Sequence, residues 1–227
     1  MTSLTVRADA LCLRDGGQAR MRNFIQRNLL LFCLALFFAP GASGGTILFL
    51  GDSLTAGFGV EQGEAFPSLI KEKIEAEHLS FDVINAGLSG DTSAGGLRRL
   101  GWLLQRPIDV AVIELGANDG LRGLPVSAMK ANLQAIIDQL KAKNSQVKVV
   151  LAGMQMPPNL GTDYAREFDA AFPEVAKKNG ATLIPFLLEG VGGHLDLNQP
   201  DQIHPTAAGH KIVAENVWRV LAPLLRK

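Results

Sequence analysis

Short apolar or β-branched runs that break at glycine alternate with stretches of helical period, and this alternation leaves the chain few folds to choose from. The first run is Thr46-Ile47-Leu48-Phe49-Leu50, which turns at Gly51 into Asp52-Ser53-Leu54-Thr55. Phe66, Leu69, Ile70 and Ile74 then recur at helical spacing, predicting a helix from Ala65 to about Glu77. A second strand is expected over Phe81–Asn85, running into the loop Ala86-Gly87-Leu88-Ser89-Gly90-Asp91. A helix over Thr92–Gln105 follows, then a strand over Val110–Leu115 that ends in Gly116-Ala117-Asn118-Asp119-Gly120. Val126, Met129, Leu133, Ile136, Ile137 and Leu140 mark a long helix, Val147–Gly153 a fourth strand, and Thr182–Ile184 a short last one. Helices are also expected from about Thr162 to Asn179, where Pro173 can end or kink the element, and from about Pro205 to Leu225. Strands alternating with helices of this length give β-α-β units and a parallel sheet. Right-handed crossovers then place helices on both faces, a three-layer α/β/α sandwich.

The N-terminus reads differently. Residues 1–20 show no helical or strand period, and Met21 is a plausible second start, with Arg22 and Arg27 as a basic head. Leu29 to Phe38 is a run of ten apolar residues, followed by Ala39-Pro40-Gly41-Ala42-Ser43-Gly44. A basic head, a short apolar run and small residues make a secretory signal peptide. The run is short of the roughly 20 residues a membrane span needs, although an uncleaved anchor stays open. Residues 1–44 are therefore expected to be a leader, residues 45–227 a single domain, and the mature protein periplasmic, without a stable membrane span. Both cysteines, Cys12 and Cys33, fall in the leader, so the mature domain would have neither disulfide nor thiolate chemistry. Losing residues 1–44 removes five Arg and two Asp, leaving 17 basic and 20 acidic side chains and no basic block. That balance gives no electrostatic case for nucleic acid. Monomer is the default expectation.

In open α/β sheets ligands sit beyond the carboxyl ends of the strands, which directs attention to the loops. Ser53, Gly87 and Asn118 follow the first three strands, and Asp201 and His204 precede the terminal helix, which can bring its start to the same rim. A serine hydroxyl needs an imidazole to take its proton, and the imidazole needs a carboxylate to fix its tautomer. The developing oxyanion needs preset donors, each worth on the order of 10²–10³ in rate. Asp201-Gln202-Ile203-His204 supplies carboxylate and imidazole within one turn, and Ser53 the nucleophile. The Ser53 and Gly87 backbone N–H groups and the Asn118 amide can converge as the oxyanion hole. Read alone, Asp52 or Ser53 also suits a plain helix cap.

Four blocks in order, Gly51-Asp52-Ser53-Leu54, Gly87, Gly116-Ala117-Asn118-Asp119 and Asp201-Gln202-Ile203-His204, resemble the GDSL or SGNH hydrolase family. The stretches Gly51–Gly57, Leu115–Gly123 and Ile203-His204-Pro205 are most similar to its periplasmic thioesterase I, lysophospholipase L1 and arylesterase subgroup. The resemblance implies a flavodoxin-like five-stranded sheet and hydrolysis of small acyl esters or thioesters, with no cofactor and no metal. It also implies Ser53 as nucleophile, Asp201 as orienting acid, His204 as base, and Ser53, Gly87 and Asn118 as oxyanion donors. Phe58 departs from the Tyr that many members carry, and Thr206–His210 lies in a variable stretch, so substrate preference stays open. A carbohydrate O-acetylesterase on the same residues is the alternative.

Other features are weighed and set lower. Gly41-Ala42-Ser43-Gly44-Gly45 matches a nucleophile-elbow pattern, but it precedes a strand instead of following one. His78 at a helix end, His194 in a glycine-rich loop and His210 inside the last helix rank below His204; Asp52 and Asp119 read as turn-forming groups or as groups that hydrogen-bond loop backbone, and Asp91 as a helix cap. Met154, Met156, Pro157 and Phe186 are candidates for an acyl groove, and ordinary core packing explains them nearly as well. Asp52 also suits phosphoryl transfer, but no Asp-x-Asp accompanies it. A nucleotide- or flavin-binding module without catalysis would want a Gly-x-Gly-x-x-Gly or Walker pattern after the first strand, and neither occurs.

Overall fold

Five strands form one parallel sheet in the computed structural model of the protein, which describes residues 44–156 and 161–226. They are β1 (Gly45–Gly51), β2 (Phe81–Gly87), β3 (Val110–Glu114), β4 (Lys148–Ala152) and β5 (Thr182–Ile184), in the order β2-β1-β3-β4-β5. Ile47–Leu50 and Val110–Ile113 are buried, which is why these strands read as continuous apolar runs and not as alternating ones. The helices are α1 (Ser53–Ala56), α2 (Phe66–Ala76), α3 (Ser93–Leu103), α4 (Ala117–Leu121), α5 (Val126–Lys143), α6 (Thr162–Asn179) and α7 (Ala207–Leu225). α2 packs on α7, while α3 and α6 both pack on α5, so two helical groups flank the sheet as the alternation requires.

Two elements depart from the expected boundaries in ways that matter for the site. β2 continues through Ala86 and Gly87, pairing Gly87 with Gly51 of β1, so the loop starts only at Leu88. The segment after β3 is not all loop: Ala117–Leu121 closes into α4, too short to show a period in the sequence. Pro173 neither ends nor splits α6, which runs on to Asn179. Asp91 does not cap α3. Thr92 does, accepting from the Gly95 N–H at 3.2 Å, while Asp91 pairs with Arg99 at 2.7 Å.

The chain places β2 on one side of β1 and β3 on the other, and this reversal opens a crevice at the carboxyl ends of β1 and β3. α7 is anchored by His210, whose Nδ1 accepts from the Phe66 N–H at 3.3 Å while its ring stacks on Phe66. Burial pushes His210 down to about 4, so it is a neutral packing group at pH 7. That anchor fixes where the loop before α7 arrives. The expected leader, with Met21 and both cysteines, lies outside the described residues apart from Gly44. Among the described residues no helix is long and apolar enough to cross a membrane.

Candidate active site

The turn that carries Ser53 follows from β1 ending at Gly51. Asp52 caps α1, its Oδ1 accepting from the Leu54 N–H at 3.0 Å, and Ser53 is the first helical residue. The capping reading of this stretch is therefore realised by Asp52, and the adjacent Ser53 hydroxyl takes no part in the cap. Ser53 is half-buried and opens onto the crevice.

From the other end of the chain, Asp201 Oδ1 accepts the backbone N–H groups of Ile203 and His204 at 2.9 and 3.0 Å, closing a tight turn. Gln202 adopts φ +57°, a left-handed conformation unfavourable for a non-glycine residue, and this bend turns the His204 ring back toward Asp201. Asp201 Oδ2 lies 2.7 Å from His204 Nδ1, and His204 Nε2 lies 2.9 Å from Ser53 Oγ. The donors roles follow from chemistry. The His204 N–H and two backbone N–H groups hold Asp201 down at about 2, so it is a carboxylate and can only accept. Nδ1 therefore carries the proton, leaving Nε2 bare to accept from the Ser53 hydroxyl. The Phe58 ring lies 4.6 Å from the His204 ring, centroid to centroid, and limits its motion. Gln199 Nε2 donates to Phe58 O at 2.6 Å and to Pro205 O at 3.0 Å, tying the two loops together. Neither Gln199 nor the Gln202 bend has a sequence signal.

The expected oxyanion donors are not all brought together. The Ser53 N–H donates to no protein acceptor among the described residues. The Asn118 amide faces the same cavity, with Nδ2 3.0 Å from Asp52 Oδ2 and 3.0 Å from Asp91 O. Gly87 is the exception. Its N–H donates to Asn85 Oδ1 at 2.9 Å and it does not line the cavity. Glycine is needed there for packing, since a Cβ would come 2.2 Å from Ala56 N. Gly90 sits where Gly87 was expected: it lines the cavity, and its N–H has no protein acceptor among the described residues. Its φ of +79° suits glycine and turns the loop, while Arg122 clamps its carbonyl at 2.8 Å. The sequence offered a second glycine three residues after Gly87, and only the extent of β2 decides between them.

The crevice encloses about 830 Å³. Met154, Met156 and Phe186 line it as expected, joined by Leu54, Leu121, Leu188 and Ile203; Pro157 lies outside the described residues. His78 and His194 are exposed and do not line it. Asp119 accepts from Ser93 N and Oγ at 2.7 and 2.6 Å, a loop-holding role. Both oxygens of Asp52 accept hydrogen bonds, from Leu54 and Asn118, which leaves it poorly placed as a phosphoryl acceptor. Glu114, a buried acid at the end of β3, went unremarked in the sequence. Burial, and after it the neighbouring Asp52 charge, push it well above the usual carboxylate range.

With this geometry in place, comparison with known proteins is informative. Residues 49–212 match the GDSL-like Lipase/Acylhydrolase family. Esterase TesA of Pseudomonas aeruginosa is 42% identical over 200 residues, covering 87% of this chain and 98% of its own. Thioesterase 1/protease 1/lysophospholipase L1 of Escherichia coli is 35% identical over 204 residues, 89% of this chain and 96% of its own. The crystal structure of the psychrotrophic esterase EstA from Pseudoalteromonas sp., inhibited by monoethylphosphonate, superposes with a TM-score of 0.76. It is 36% identical and spans 81% of this chain and all of that one.

Proposed function

The chain belongs to the GDSL-like lipase/acylhydrolase family and is a hydrolase of ester bonds, and from that premise we propose that it cleaves small acyl esters and thioesters through an acyl-enzyme on Ser53. The observation that carries this reading is the unbroken row Ser53 Oγ, His204 Nε2, His204 Nδ1, Asp201 Oδ2, at 2.9 and 2.7 Å. Ser53 Oγ attacks the acyl carbon as its proton passes to His204 Nε2, and Asp201 stabilises the imidazolium. The carbonyl oxygen becomes an oxyanion facing the Ser53 and Gly90 N–H groups and the Asn118 amide. His204 then returns the proton to the departing alcohol or thiol. Water, activated by the same imidazole, releases the acid and restores Ser53. No step calls for a metal or cofactor.

The acyl chain lies along Met154, Met156, Phe186, Leu188 and Leu121, where apolar walls favour a hydrocarbon over a sugar. That wall is why long-chain thioesters and single-chain lipids rank above acetylated carbohydrates as substrates. The N-terminal sequence supports export through a signal peptide and a periplasmic site of action, and we take the working unit to be a monomer. A panel of p-nitrophenyl esters from acetyl to palmitoyl, run beside acyl-CoA thioesters and an acetylated xylan, tests the reading. Expected is a kcat/KM that rises from acetyl to medium or long chains, with thioester turnover measurable. Activity confined to acetyl groups and the polysaccharide would reverse the ranking.

A further inference from the structure

Glu114 stands out because it is a carboxyl group placed where burial is costly. It ends β3 after Val110-Ala111-Val112-Ile113 and is 1% exposed. The turn that carries the nucleophile is shaped around it. Its Oε2 accepts from the Asp52 N–H at 3.2 Å and the Thr55 hydroxyl at 2.8 Å. Gly51 cannot carry a side chain beside it, since a Cβ would come 2.6 Å from that same oxygen. Gly51, Asp52 and Thr55 are thus all fitted to one buried carboxyl. Glu114 Oε1 has no hydrogen-bond partner among the described residues.

Asp52, in turn, holds Asn118. An amide nitrogen has two hydrogens, and in the resting site Asn118 Nδ2 directs them at Asp52 Oδ2 and Asp91 O. Arg99 fixes the second of these acceptors, bonding both Asp91 Oδ2 and Gly51 O. An oxyanion must therefore share a hydrogen that Asp52 already holds. How strongly Asp52 competes depends on its charge and on how it is held. Burial raises both carboxyls, Asp52 to about 6 and Glu114 well above the usual range, while their mutual interaction raises Glu114 further and offsets part of the rise at Asp52.

We propose that Glu114 is a positioning residue: buried against the Asp52 N–H and the Thr55 hydroxyl, it sets Asp52, and through Asp52 it aims the Asn118 amide at the oxyanion. The inference rests on the oxyanion role given to Asn118 above. Glutamine preserves the shape, its carbonyl accepting from Asp52 N and Thr55 Oγ1 and its amide facing Asp52. Methionine fills the volume and offers neither group.

The test is a double-mutant cycle with p-nitrophenyl butyrate as substrate, each variant checked for folding by thermal melt. Glu114→Met should lower kcat about thirtyfold with KM within threefold, a fraction of the ~10²–10³ that losing a hole donor costs. Glu114→Gln should recover to within about threefold of the parent. In an Asn118→Ala background Glu114→Met should cost less than about threefold, because the pair acts as a unit. Equal losses in both backgrounds, or a Gln variant as impaired as Met, would overturn the proposal. An Asn118→Ala variant with parental kcat would instead overturn the oxyanion role on which it rests. Should Glu114→Met fail to fold, Thr55→Val removes one donor to the same oxygen and enters the same cycle with smaller losses expected.

Discussion

Replacing Ser53 by alanine should lower kcat on p-nitrophenyl esters by about 10⁶, the scale seen when a serine hydrolase loses its nucleophile. The loss is large because Ser53 Oγ is the atom on which the proposed acyl-enzyme forms. It should come without loss of fold. Ser53 is half-buried, and its hydroxyl bonds only His204 Nε2 among the described residues. The cap of α1 comes from Asp52, which the substitution leaves intact. Parallel melts of the two proteins check this: midpoints within a degree or two, with activity gone. A variant that keeps more than a few per cent of turnover would mean that another group attacks the ester.

Asp201→Asn should cost about 10⁴ in kcat, through the wrong histidine tautomer and not through lost charge alone. The geometry of the turn makes this outcome specific. The Ile203 and His204 N–H groups both donate to Oδ1 and need an acceptor there, so an asparagine keeps its oxygen on that side. Its NH₂ then faces His204 Nδ1, which must accept. The imidazole proton moves to Nε2, where it meets Ser53 Oγ as a donor and can take no proton from it. KM should change little, since Asp201 does not line the cavity. Because Asp201 is held at about 2, it stays a carboxylate in the parent from pH 5 to 9, and the defect should be present throughout that window. Steady-state kinetics across that range check it, and a loss under about tenfold would remove the tautomer argument.

How much of this was legible in the sequence differs by residue. The strands of the buried sheet were, because parallel strands covered on both faces leave apolar runs such as Ile47–Leu50 with a glycine at the end. Asp201 and His204 were also, since three residues of separation within one turn bring carboxylate and ring into reach. Their union with Ser53 needed only that α7 pack back on the sheet. Gly87 was misread because a glycine after an apolar run looks like the start of a loop. In the fold β2 runs two residues further, Asn85 takes the Gly87 N–H, and Gly90 is left facing the cavity. Sequence spacing cannot count where a ladder stops. Glu114 was invisible for a related reason: one acid at the end of an apolar strand reads as its solvated edge, and only the packing of Gly51 and Thr55 shows it buried. Gln202 gave no sign of its left-handed backbone, which a glycine or asparagine would have advertised.

The central claim is that residues 53, 201 and 204 act as one hydrogen-bonded nucleophilic unit, and covalent labelling reads it most directly. Incubation with a p-nitrophenyl alkylphosphonate should release one p-nitrophenol per chain and add one phosphonyl group. Mass spectrometry of the digested protein should place that group on Ser53, with labelling abolished in Ser53→Ala and slowed by orders of magnitude in His204→Ala. A phosphonyl group found on any other residue, or equal labelling rates with and without His204, would contradict the account.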